Sequence, residues 1–151
     1  MAIIVISGTD TEIGKTLVGC GCARALCDAG LSVKAIKPVE SGTEPEPTSG
    51  EDGVMLARAA RQTAPSQALV RLREPLAPPV AARIDGVDLD MDDWERRLRA
   101  EHDGCDVLIV EGAGGLLSPL TRDETTRDLA GRLGAGVLMV APDVLGCLNH
   151  T

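Results

Sequence analysis

A glycine-rich segment near the amino terminus, GTDTEIGKT at residues 8–16, constrains this chain more than any other feature. The apolar run Ile3–Ile6 before it predicts a buried parallel strand. The stretch from Leu17 to Ala29 after it predicts a helix that ends at Gly30. Strand, glycine loop, Lys-Thr and helix, in that order, are typical of a phosphate-binding loop, or P-loop. Its backbone N–H groups and the helix N-terminus would bind an anion.

Two side chains of this segment have predicted roles. Lys15 is expected to reach the outer phosphates of a nucleotide, and the Thr16 hydroxyl to hold Mg²⁺. Five residues separate Gly8 from Gly14, whereas the common motif has four. The alternative is a glycine-rich turn with a chance Lys-Thr pair. It is disfavoured because the strand and the helix that the motif demands are both predicted.

Composition excludes several classes of function. The 151 residues are expected to form a single domain, residues 1–151, with one hydrophobic core. The net charge of −8 disfavours nucleic-acid binding, which needs a basic surface. No apolar run reaches the about 18 residues of a membrane span, and no basic leader precedes the first strand. The five cysteines form no CxxC pair, so we expect reduced thiols and a cytoplasmic protein.

Two further predicted strands end in residues suited to a nucleotide site. The strand 32–36 ends at Lys37, with Ser41 shortly after it, and the strand 106–110 ends at Glu111 before a run of glycines. Ligands of open α/β sheets bind beyond the carboxyl ends of strands. Lys37 would lie beside the P-loop if the first two strands are neighbours, and Glu111 suits a metal contact. Alternatively, Lys37 is a solvated strand-end lysine and Glu111 is exposed in a turn.

The remaining segments predict an α/β fold, a mostly parallel sheet with helices on both faces. Asp52 begins a predicted helix, where a carboxylate can simply complement the helix dipole. Trp94 and Leu98, and less clearly Met91, are expected to face the core. The predicted segments are a loop 43–50, a helix 51–61, an extended piece 67–72, an irregular proline-rich stretch 74–79, helices 88–102 and 125–134, a strand 137–140 and the first turn of a helix 145–151.

Four motifs in this order closely resemble the dethiobiotin synthetase family of the iron-protein and cobyrinate-synthetase-like P-loop ATPases. They are GTDTEIGKT at 8–16, KPVESG at 37–42, VEGAGG at 110–115 and LGCLNH at 145–150. The segment Pro75–Pro79 also resembles the substrate loop of that family. The resemblance spans the whole chain and implies a three-layer P-loop NTPase fold.

The resemblance implies a ligase reaction. 7,8-Diaminopelargonate is carboxylated with CO₂, the carbamate attacks the γ-phosphate of ATP, and ring closure through the second amine releases ADP and phosphate. The resemblance implies catalytic roles for Lys37, Lys15 and Thr11, and metal ligation by Thr16, Asp52 and Glu111. The implied contacts to ATP and Mg²⁺ come from Glu12, Ile13, Gly14, Lys15, Thr16, Leu17, Asp52, Glu111, Gly112, Ala113 and Gly114. The implied contacts to the substrate come from Thr11, Ser41, Pro78, Gly146, Cys147, Leu148 and Asn149.

The resemblance also implies a homodimer, because in this family Gly146 to Asn149 of one subunit would bind the substrate carboxylate of the other. Two alternatives remain open: a non-ligase P-loop ATPase or nucleotide switch, and a cobyrinate-synthetase-like amidoligase. The family continues well past residue 151. We therefore expect a C-terminally incomplete chain with an unpaired sheet edge beside Val137–Val140 and poor discrimination between ATP and GTP.

Overall fold

The computed structural model describes residues 1–149, in which strands and helices alternate. No described helix combines the length and the apolar character that a membrane span requires. The elements are β1 (Ala2–Gly8), α1 (Lys15–Asp28), β2 (Val33–Ile36), β3 (Val39–Ser41), α2 (Asp52–Ala59), β4 (Val70–Leu72), α3 (Pro78–Asp85), α4 (Met91–His102), β5 (Val107–Gly115), α5 (Thr126–Leu133), β6 (Gly136–Val140) and a 3₁₀ turn (Cys147–Asn149).

The main sheet has four strands in the order β2-β5-β1-β6, and every neighbouring pair is parallel. All four strands therefore end at the same edge, as the sequence predicts. The sequence places Lys37 beside the P-loop on the condition that the first two strands are neighbours. That condition is not met, because β5 lies between β1 and β2. As a result Glu111, which pairs with Ile6 of β1, lies between the P-loop and the end of β2.

Alternate side chains of β5 enter two separate cores, one on each face of the sheet. Leu108 packs in a cluster with Trp94, and Ile109 packs in another with Leu56. The first cluster draws on α3, α4 and α5, and the second on α1 and α2. The α/β class with helices on both faces is thereby confirmed. By the same alternation, Glu111 points to the face that carries α1 and α2.

The two predicted helices of the second half are confirmed, each slightly shorter than predicted. Asp90 caps α4 by accepting hydrogen bonds from the backbone of Asp92 and Asp93, and the predicted inward residues of α4 are buried. Thr125 and Asp128 form a capping box at the start of α5, which ends at Gly134 with a φ of 63°.

Two local predictions need correction, and one is confirmed. Pro78 and Pro79 are not irregular but begin α3, because the first turn of a helix needs no N–H donor from its residues. The extended piece predicted at 67–72 is confirmed as β4, which pairs in parallel with Val39–Ser41 in a small sheet of its own. The predicted helical turn at 145–151 is a 3₁₀ turn over Cys147–Asn149, and the last two residues lie outside the described part.

The strand β6 forms an edge of the main sheet as described, with Val137 43% and Leu138 38% exposed. This agrees with the expected unpaired edge beside Val137–Val140.

Candidate active site

The predicted P-loop connects β1 to α1 in a strained, tightly packed conformation. Glu12 and Gly14 have positive φ angles of 55° and 96°, and only a glycine adopts the second without strain. A side chain at Gly8 would not fit, because its Cβ would lie 2.4 Å from Cδ1 of Ile13. The N–H of Thr9 donates to the carbonyl of Val140 at 3.1 Å, which anchors the loop to β6.

Lys15 is the first residue of α1 and folds over the loop. Its Nζ donates to the carbonyl of Asp10 at 2.6 Å, and burial lowers the pKa of the ammonium group. Thr11 is exposed at the tip of the loop, and its methyl group lies near Gly114. Leu17 is 74% exposed at the start of α1, and its contact with the nucleotide stays a prediction.

The centre of the site is the carboxylate of Glu111, which is only 1% exposed. Its Oε1 accepts hydrogen bonds from Nζ of Lys37 at 2.8 Å and from Oγ1 of Thr16 at 3.0 Å. Its Oε2 has no hydrogen-bond partner among the described residues. Burial raises the pKa of Glu111, although Lys37 opposes that change. The alternative of a carboxylate exposed in a turn is therefore wrong.

The alternative that Lys37 is a solvated lysine at a strand end is also wrong. Its side chain is 8% exposed and forms ion pairs with Glu111 and Asp52. Burial lowers the pKa of Lys37, but the two carboxylates raise it by more, so the group stays an ammonium ion. Asp52 begins α2 as predicted, yet its carboxylate contacts Lys37 in addition to complementing the helix dipole.

Glu40 is a site residue that the sequence did not single out. Its carboxylate accepts hydrogen bonds from the backbone N–H of Asp52 at 2.6 Å and of Gly53 at 2.9 Å. It therefore caps α2 from a neighbouring strand. No local spacing signals this contact, since Glu40 precedes the helix by a whole loop; only the buried position of a carboxylate in KPVESG is unusual.

The structure brings the predicted substrate loop next to the KPVESG segment. A Cβ on Gly42 would lie 3.2 Å from Cβ of Pro75, and the N–H of Gly42 donates to the carbonyl of Glu74. Oγ of Ser41 is buried and has no partner within residues 1–149, while Pro78 is buried at the start of α3.

The glycines after Glu111 allow close packing at the end of β5. A Cβ on Gly112 would lie 2.5 Å from Cγ2 of Thr126, and Gly114 has a φ of 68°. Ala113 between them packs against the core.

The remaining predicted substrate residues follow β6. Gly146 has a φ of 92°, and the backbone N–H groups of Cys147 and Asn149 donate to the carbonyls of Val144 and Gly146. Leu148 lies in the same turn, and His150 of the LGCLNH motif lies outside the described residues.

The donor set fits a small, hard cation. Residues 1–149 contain no group of three or more His, Cys, Asp or Glu side chains arranged around a metal. Mg²⁺ is usually bound by one or two carboxylates, with waters and phosphates completing its shell. Oε2 of Glu111, which accepts no hydrogen bond from residues 1–149, and the nearby hydroxyl of Thr16 match that pattern.

A glycine loop between a strand and a helix, with a buried lysine and carboxylates at the same edge of a parallel sheet, defines a P-loop nucleotide-binding protein. A family model described as an AAA domain matches residues 3–151. The chain is 41% identical to the ATP-dependent dethiobiotin synthetase of Caulobacter sp. strain K31, over 99% of this chain and 67% of the relative. The corresponding protein of Caulobacter vibrioides is 43% identical, over 99% and 70%.

A third relative, the ATP-dependent dethiobiotin synthetase of Anaeromyxobacter sp. strain Fw109-5, is 44% identical over 98% of this chain and 66% of the relative. The chain thus belongs to the ATP-dependent dethiobiotin synthetase family, a family of ligases, as its motifs predict. It spans about two thirds of the length of the curated relatives it matches.

Proposed function

We propose that this chain performs the dethiobiotin synthetase reaction of biotin biosynthesis. It would carboxylate 7,8-diaminopelargonate with CO₂, activate the carbamate with ATP and close the ureido ring with release of ADP and phosphate. The observation that carries the proposal is the buried ammonium group of Lys37, linked through Oε1 of Glu111 to Thr16 of the P-loop. Lys37 would be the second cation of the site, after Lys15, and it suits a reaction in which a carbamate attacks a phosphate group, because both are anions.

Phosphoryl transfer depends mainly on positioning and on neutralisation of charge. The backbone of residues 12–17 and the ammonium group of Lys15 would bind the phosphates. Lys37 would lie between the carbamate and the γ-phosphate, where it offsets their repulsion. Its position is fixed in advance by Glu111 and Asp52, so little reorganisation is needed. Thr11 and the hydroxyl of Ser41, which has no partner among the residues that the structure describes, would hydrogen-bond the carbamate or the amine.

Mg²⁺ would supply additional neutralisation of the triphosphate. Thr16, Asp52 and Glu111 would hold it, and two features support this assignment. Oε2 of Glu111 is buried and has no hydrogen-bond partner in the described part of the chain, and the Asp52 side chain is 35% exposed beside Lys37. An oxygen atom of each carboxylate is therefore available for a further cation.

The proposal extends to a cytoplasmic homodimer. The segment Gly146–Asn149 would bind the substrate carboxylate in the partner subunit. Val144, two residues before this segment, is 58% exposed, which leaves an apolar side chain for such a contact. The net charge of −8 supports a small-molecule enzyme without a nucleic-acid partner.

Phosphate release from ATP, measured with and without 7,8-diaminopelargonate and bicarbonate, tests the proposal. The ligase predicts release that requires both co-substrates, together with formation of dethiobiotin detected by mass spectrometry. ATP hydrolysis at the same rate with and without the co-substrates would favour a nucleotide switch. A folded, ATP-binding protein that forms no dethiobiotin would overturn the proposal.

A further inference from the structure

We propose that Glu40 is a positioning residue, whose buried carboxylate fixes the first turn of α2 and so holds Asp52 against Lys37. The hydrogen bonds from α2 to Glu40 do not depend on any assigned function. The consequence for metal binding rests on the proposed function, in which Asp52 holds Mg²⁺.

The start of α2 lacks a cap of its own. The first N–H groups of any helix have no partner within the helix, and a side chain at the N-cap position commonly accepts from one of them. The N-cap residue of α2, Glu51, makes no such bond; its carboxylate instead accepts from Arg71 and from the N–H of Thr48. Glu40 takes over the cap with its two bonds to Asp52 and Gly53.

The frame around Glu40 is rigid. Glu40 lies opposite Arg71 in the small sheet, and Arg71 donates to both oxygens of Glu51 at 2.7 Å. Gly53 packs so closely that a Cβ there would lie 2.2 Å from the backbone nitrogen of Ala68. Of these contacts, only the bonds from Glu40 reach the peptide N–H of Asp52 itself.

A chain of direct contacts follows from this arrangement. Glu40 binds the backbone of Asp52, the side chain of Asp52 binds Lys37, and Lys37 binds Glu111. α2 has only eight residues, so its own hydrogen bonds contribute little to the position of its first turn. The carboxylate of Asp52 is therefore placed by a residue on β3 that does not touch the predicted ligand.

Glu40→Gln preserves size but replaces one acceptor oxygen with an NH₂ group that faces a backbone donor. The Asp52 and Gly53 amides should then exchange hydrogen at least about tenfold faster in the nucleotide-free protein. The Mg²⁺ concentration that supports half-maximal binding of a fluorescent ATP analogue should rise about tenfold, the usual effect of losing an outer-shell partner. Glu51→Gln is the matched control, because it loosens the contact with Arg71 and leaves both bonds of Glu40 intact.

A double-mutant cycle separates positioning from a general loss of structure. If Glu40 acts through Asp52, the variant Glu40→Gln/Asp52→Asn should need no more Mg²⁺ than Asp52→Asn alone. If the two substitutions raise the Mg²⁺ requirement independently, so that their factors multiply in the double variant, the proposal is overturned. Unchanged amide exchange in Glu40→Gln would also overturn it. If Glu40→Gln fails to fold, Glu40→Asp provides the same comparison, since the shorter carboxylate cannot reach both N–H groups.

The two readouts also separate this inference from the proposed function. Amide exchange needs neither metal nor nucleotide. Faster exchange without any change in Mg²⁺ requirement would support the cap and contradict the metal role of Asp52.

Discussion

Lys37→Gln removes the ammonium group that neutralises a buried carboxylate. Glu111 is 1% exposed and would lose an ion pair of 2.8 Å, while keeping its hydrogen bond from Thr16. Removing one partner of a buried ion pair usually costs 3–5 kcal/mol, and we expect about 3 kcal/mol because Thr16 still donates. Typical domains are stable by about 5–15 kcal/mol, so the variant should still fold.

The same substitution should act on catalysis by a separate route. Loss of a preorganised cation at the reacting phosphoryl group costs about 3 kcal/mol of transition-state stabilisation, or roughly 150-fold in turnover. Lys37→Gln/Glu111→Gln isolates the effect on stability, because it removes the unpaired buried charge. Its unfolding free energy should recover towards that of the unmodified protein, whereas its turnover should stay low.

The stability loss should depend on pH in a defined direction. Burial raises the pKa of Glu111, and without Lys37 the pKa rises further. Below that raised pKa the carboxyl group is neutral and needs no partner, so the penalty disappears; above it the penalty is fully present. Urea unfolding should therefore show a larger difference between Lys37→Gln and the unmodified protein at pH 8 than near the ordinary carboxyl pKa of 4.5.

Lys34→Gln is the matched control. Lys34 lies on the same strand, but its ion pair with Glu101 is 3.2 Å long and its side chain is 25% exposed. Such pairs contribute about 1 kcal/mol or less, and turnover should be unaffected. Normal turnover together with unchanged stability of Lys37→Gln at pH 8 would refute both parts of the argument.

Two further predictions concern packing and thiol reactivity. Gly112→Ala would place a Cβ 2.5 Å from Thr126 and should cost about 1–3 kcal/mol in thermal unfolding, whereas Gly131→Ala, with nothing within 4 Å, should gain up to about 1 kcal/mol. Equal melting temperatures for the two variants would contradict the packing argument. Burial, and then Glu111, raise the pKa of the Cys20 thiol, so iodoacetamide should label it far more slowly in the native protein than in urea, and equal rates would contradict its placement.

The parts of the site that the sequence predicts are those encoded by local pattern. The P-loop is a contiguous motif between a predicted strand and a predicted helix. Lys37 and Glu111 directly follow apolar runs that read as strands. Parallel strands end at one edge of a sheet, so their convergence follows without any knowledge of strand order. The site could therefore be outlined from the sequence although β5 separates β1 from β2.

The missed features depend on contacts that no local pattern encodes. Pro78 and Pro79 signal a break in most contexts, and only the turn before them makes them the start of α3. In the small sheet, the extended piece at 67–72 is predicted, but its partner Val39–Ser41 is too short for periodicity to reveal. In the sequence, Glu40 looks like an ordinary polar residue after a strand. Only the fold shows that its carboxylate lies at the start of α2.

The charges of the site allow two roles of Asp52 in nucleotide binding to be distinguished: a metal ligand, or a residue that only supports the structure of α2. The ammonium groups of Lys15 and Lys37 lie close enough to the carboxylates of Asp52 and Glu111 for each to affect the others. A nucleoside triphosphate adds several negative charges, which the two carboxylates repel. A carboxylate at this position therefore favours nucleotide binding only with a cation between carboxylate and phosphate.

Asp52→Asn should consequently shift nucleotide binding in opposite directions under two conditions. With Mg²⁺, the variant should need about tenfold more metal for half-maximal binding, because a hard oxygen ligand is lost. In EDTA, it should bind ATP more tightly than the unmodified protein, because a repelling charge is lost. Asp103→Asn, at an exposed carboxylate just after α4, should change neither value. Isothermal titration calorimetry measures both conditions on one preparation. Weaker binding under both conditions would mean that Asp52 acts only through the structure of α2, and its assignment as a metal ligand would then be wrong.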